Sequence, residues 1–192
     1  MNNKLDEKEA ERIRLRQISD YIFSCISRVE NEIGLISHIK KDKNLFSEKK
    51  YLPIILSICD VYSRDIIITL NHLLDKDIKT SSLFSLLDSL KKPRIKEQYK
   101  KRLNLIENNF KGYIKTRNNQ VAHFNTKLNI PKNGYSYIHQ GYILMRYKDT
   151  KNVLKEIEDF YFDIKEKLKI EGTLLYFNGN LKDAFLYLID KK

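Results

Sequence analysis

Apolar residues return every three or four positions along most of this chain. Between about Glu7 and Lys41 the row Ile18, Ile22, Cys25, Val29, Ile33 and Ile36 predicts one long amphipathic helix. A second helix is predicted from about Lys49 to Asp75 on Leu52, Ile55, Cys59, Tyr62, Ile66, Leu70 and Leu73. Pro53 falls in its first turn, where a missing amide hydrogen costs little. Thr80, Ser81 and Ser82 offer capping oxygens to a short helix through Leu83, Leu86, Leu87 and Leu90. Pro93 then opens a long helix whose stripe, from Ile95 and Tyr99 through Leu103, Ile106, Phe110, Tyr113 and Ile114 to Val121, ends close to His123.

The pattern changes between Asn125 and Lys148. Pro131, Asn133-Gly134 and Gly141 break helix there, while Tyr135, Tyr137, Tyr142 and Tyr147 favour extended backbone, so a loop or small hairpin is expected. Asp149-Thr150 caps a further helix that turns Val153, Leu154, Ile157, Phe160, Tyr161, Ile164 and Leu168 inward. Gly172 and Asn178-Gly179-Asn180 punctuate the tail before a last helix bearing Leu181, Phe185, Leu188 and Ile189. With no internal repeat and no linker, residues 1–192 read as a single all-α domain, a bundle of four to five main helices with a short extra one.

Composition agrees: 6 Gly and 3 Pro are few for a sandwich or a doubly wound sheet. No stretch approaches a membrane span, and the charged segment Met1–Arg16 has no apolar signal core, which points to the cytoplasm. Cys25 and Cys59 each sit in an apolar row and read as buried free thiols. The formal net charge of +11 suits a polyanion such as RNA, although a lysine-rich composition produces the same figure without any such partner.

One run carries candidate chemistry: Thr116-Arg117-Asn118-Asn119-Gln120-Val121-Ala122-His123. An imidazole, which titrates near neutral pH, can take the proton from a ribose 2′-hydroxyl. A guanidinium can hold the charge that builds on the phosphorus oxygens and cannot lose its own. In one regular helix six steps put Arg117 and His123 roughly 120° apart and about 9 Å along the axis, too far to grip one phosphate unaided. Either the helix frays at Asn118 and Asn119, or a second copy of the chain completes the site.

Together with its surroundings this run resembles the HEPN superfamily (higher eukaryote and prokaryote nucleotide-binding), in particular its abortive-infection AbiU-like branch. The likeness rests on Arg117-Asn118 and Ala122-His123 near the end of a long helix. It is extended by Thr69-Leu70-Asn71-His72-Leu73-Leu74-Asp75, Ser81-Ser82-Leu83 and Leu86-Leu87, and spans about Tyr51 to Phe124. The resemblance implies an all-α HEPN-like bundle that dimerises with two Arg-His motifs facing a shared cleft. It further implies metal-independent endoribonuclease activity in a toxin–antitoxin or phage-defence system, with an antitoxin protein as a further partner. On that reading Arg117 holds the phosphate, His123 acts as base or acid, and Asn118 orients one of them. Asn125 stands where some members carry a tyrosine that a partner enzyme modifies, so that regulation is not implied.

Blander readings stand beside these. His123 equally suits a helix end, and Arg117 a solvated helix face. The polar row Asp60, Arg64, Asn71 and Asp75 follows helical spacing; Asp60 and Arg64 either line the cleft as substrate-binding residues or simply pair with each other on a wet face. His72 fits a surface or an interface, and His139 a loop. Tyrosines 135 to 147 beside Arg146 and Lys148 suit either stacking on bases or ordinary packing. No metal-ligand spacing, phosphate loop or nucleophile setting is present in the sequence, so neither metal nor cofactor is expected. The rival to a nuclease is a non-catalytic helical module that binds RNA, a nucleotide or a partner protein.

Overall fold

A computed structural model describes residues 3–41, 52–116 and 147–171. It contains α1 (Asn3–Lys41), α2 (Leu52–Leu73), α3 (Leu83–Asp88), α4 (Pro93–Thr116) and α5 (Tyr147–Leu168), and no strand among the described residues. The all-α bundle expected from the periodicity is the fold observed. The extension of α4 towards His123, most of the loop or hairpin segment, and the last helix around Leu181–Ile189 lie outside the described residues.

The inward rows are the ones the spacing predicts. Ile22 and Val29 of α1, Leu70 of α2, Leu83 and Leu86 of α3, Leu103 and Phe110 of α4, and Phe160 and Ile164 of α5 join one apolar cluster. Side chains of this size contribute about 1.5–3 kcal/mol each when fully buried. α1 buries a second row as well, since Leu35 and Ile39 meet Ile55 and Cys59 of α2 in a smaller cluster. A single stripe on α1 was therefore too narrow a reading; the helix hides two adjoining faces. Cys25 and Cys59 are free and buried, as expected.

Helix ends follow local chemistry with two corrections. Ser82 is the N-cap of α3: its hydroxyl accepts from the Ser85 amide and donates to the Asp75 carbonyl at 2.7 Å, while its own amide donates to Ser85 Oγ at 3.0 Å. α1 begins at Asn3, earlier than the apolar row indicates, because its first turns are polar and leave no stripe to read. α5 is already helical at Tyr147, so Asp149 and Thr150 lie inside it and do not cap it. α5 ends at Lys169 in the left-handed region (φ 53°), where the Ile170 amide returns to the Lys165 carbonyl at 3.1 Å.

Two polar contacts fix the helix registers. Ser19 Oγ and the Tyr161 hydroxyl lie 2.9 Å apart in the interior, and that hydroxyl also reaches the Ser19 carbonyl at 3.2 Å. Tyr99 and Arg102 of α4 both donate to Asp163 of α5, at 2.6 and 2.7 Å. Donation to Asp163 together with burial pushes the Tyr99 phenol up to about 12, burial being the larger cause, so it stays protonated and keeps donating. Tyr161→Phe is expected to lower stability by about 1–2 kcal/mol with an unchanged m-value in urea denaturation, whereas Phe160→Ala costs about 3–5 kcal/mol. Equal losses from the two changes would contradict this division between a register bond and packing.

Candidate functional site

Arg117, Asn118 and His123 lie outside the described residues. α4 is described as far as Thr116, the residue before Arg117 in the sequence. Its pairings with α5 run antiparallel, Tyr99 and Arg102 with Asp163 and Asn109 with Glu156, so the end of α4 and the start of α5 share one end of the bundle. A salt bridge of 2.7 Å from Lys76 to the largely buried Glu107 ties the turn after α2 to the same half of α4.

Of the two candidate substrate-binding residues, Arg64 Nη2 meets Asp60 Oδ2 at 2.9 Å, four residues apart on α2. The side chains are 35% and 22% exposed, so the pair stands at the edge of the interior and not on a fully wet face. Of the same polar row, Asp75 accepts from the Asp77 amide in the turn that follows, and Asn71 is half-buried. His72 packs edge-on against Tyr21, ring centroids 5.5 Å apart.

A polar seam between α1 and α2 was not singled out by the sequence. Arg28 Nε lies 3.2 Å from Asp65 Oδ2, and Arg28 Nη2 donates to Thr69 Oγ1 at 2.5 Å. One turn along, Glu32 is only 3% exposed and hydrogen-bonds Asp65. Burial first, then that hydrogen bond and the charge of Asp65, push its carboxyl up to about 9, with Arg28 pulling the other way. Glu32 is thus a neutral acid at pH 7 that donates to a carboxylate, which in turn is held by a guanidinium. The Cys25 thiol in the same seam is raised chiefly by burial and stays protonated, a poor nucleophile. The signal available in the sequence was a glutamate between Val29 and Ile33, flush with the apolar row of α1.

A cavity lies elsewhere among the described residues. It measures about 720 Å³ and opens between the start of α1, the α3–α4 turn and the end of α5, at the opposite end of the bundle from Thr116. Lys8, Arg12, Arg16, Lys91, Lys92 and Lys167 line it. Glu171 and Glu11 offset Arg12 and Lys91 at 3.3 and 3.4 Å, which leaves a cationic surplus on an open rim. Among the described residues no three His, Cys, Asp or Glu side chains converge as metal ligands, and no described helix is long and apolar enough to cross a membrane.

No family model matches this chain, and neither a curated protein nor a solved structure matches it. The HEPN resemblance therefore rests on the quoted motifs and the helical fold.

The seam yields a pH prediction. Because the folded carboxyl of Glu32 titrates near 9 against an ordinary 4.5, its contribution is complete below pH 4.5 and is lost as pH rises towards 9. The slope is at most about 1.4 kcal/mol per pH unit. Glu32→Gln keeps a donor for Asp65 without a proton to lose, so urea midpoints at pH 5, 7 and 9 should fall in the native chain relative to the variant. Parallel midpoints would show that Glu32 is already charged at pH 7.

Proposed function

We propose that this protein is a metal-independent endoribonuclease that works as a homodimer, of the kind used in toxin–antitoxin or abortive-infection defence, acting in the cytoplasm and held in check by an antitoxin protein. The observation that carries the reading is the run Arg117–His123 continuing directly from a long helix in an all-α bundle. In the mechanism His123 takes the proton from a ribose 2′-hydroxyl, and the freed oxygen attacks the adjacent phosphorus. The 5′-oxygen leaves with a proton, giving a 2′,3′-cyclic phosphate and a 5′-hydroxyl. Arg117 offsets charge on the phosphorane oxygens, and Asn118 orients one of the pair. The offset of Arg117 and His123 along a regular helix is answered by two copies, each contributing to one cleft.

A second reading is a non-catalytic module that binds RNA, a nucleotide or a partner protein. The cationic cavity at the opposite end of the bundle from Thr116 favours it, because a polyanion would be drawn there.

Cleavage of single-stranded RNA is expected to persist in EDTA and to leave cyclic phosphate ends. His123→Ala should lower the rate about 10²–10⁴-fold and Arg117→Ala about 10²–10³-fold. Cleavage that stops on chelation removes this mechanism. RNA binding abolished by Lys91→Glu with Lys167→Glu, in a chain that cuts no RNA, selects the second reading.

A further inference from the structure

We infer that α2 carries the face on which two copies of this chain meet, with Val61 at the two-fold axis. Ile54, Val61 and Ile68 are 60%, 61% and 48% exposed. Their seven-residue spacing stacks them in one row about 21 Å long, on the side of α2 turned away from the buried Cys59, Ile66 and Leu70. The adjacent row, Ile58, Asp65 and His72, is turned to α1, where Asp65 meets Arg28, His72 meets Tyr21 and Ile58 packs beside Leu35 and Ile39, so the exposed row is the side of α2 that α1 leaves uncovered. Single exposed apolar residues are ordinary; an aligned series along a whole helix is not.

Charge selects the occupant. The chain is +11, yet α2 carries only Asp60, Arg64 and Asp65, and Arg28 of α1 pairs with Asp65 across the seam. Two copies repel each other over most of their surface and meet least repulsion on this balanced face. A polyanion, by contrast, finds nothing here to attract it. The face is also its own complement. An antiparallel copy turned about an axis at Val61 sets Ile54 on Ile68 of the second copy, Val61 on its own counterpart, and Ile68 on Ile54.

This rests on the dimer in the proposed function and not on the chemistry of cleavage. Light scattering of the full chain at micromolar concentration should give twice 22.9 kDa. Val61→Glu and Ile68→Glu should each give monomers with unchanged helical circular dichroism, while Leu105→Glu, equally exposed at 60% on α4, stays dimeric. Val61→Cys should cross-link to itself on mild oxidation and Leu105→Cys should not, against the silent background of buried Cys25 and Cys59. A monomeric native chain overturns the inference. A dimer that survives both glutamate changes overturns the α2 face alone and leaves a dimeric nuclease standing, whereas monomers made by Val61→Glu in a chain that cuts no RNA uphold the face and count against the nuclease.

Discussion

Burial on two sides of α1 is the constraint from which the bundle follows. A helix of 39 residues is about 58 Å long, and no single neighbour can cover it. Ile22 and Val29 look into the main cluster with α3, α4 and α5, while Leu35 and Ile39 meet Ile55 and Cys59 of α2. The bond from Ser19 of α1 to Tyr161 fixes α5, and Arg28 and Glu32 of α1 fix α2, so both neighbours take their register from the same rod.

Most polar groups inside such a bundle find a partner, because an unpaired one costs free energy. Asp163 satisfies this by accepting from both Tyr99 and Arg102, and Asp65 by accepting from both Glu32 and Arg28. In each case one carboxylate gathers two donors, one of them permanently cationic. The difference lies in depth: Asp163 is met from the rim, whereas Glu32 is deep enough that keeping its proton costs less than carrying a charge. Oε2 of Glu32 has no hydrogen-bond partner, a further mark of a carboxyl placed where water does not reach.

Sequence periodicity revealed the helices because their inward rows are long and regular, and Ile18 through Ile36 or Val153 through Ile164 leave little choice. It was less informative where position and environment diverge. Leu35 and Ile39 were missed because a second buried row on α1 looks like noise around the first. Glu32 was missed because its protonation depends on Asp65, a residue of another helix. Asp60 and Arg64 were legible as an i, i+4 pair, and their depth was not, since burial at the edge of a helix is set by its neighbours. Ile54, Val61 and Ile68 carry a clear spacing, but spacing alone does not say whether a row faces inward or out. Arg117, Asn118 and His123 were read from side-chain chemistry and order along the chain, and they follow the last described residue of α4, Thr116.

The close of α5 has a consequence for the cationic cavity. Lys169 holds a left-handed backbone in which a side chain costs roughly 1–2 kcal/mol relative to glycine, and it also lines that cavity. Glycine at this position would relax the helix end and remove one positive charge from the rim. Firmness of the fold and pull on anions are thus set against each other at a single residue, and this chain has settled on the side of charge.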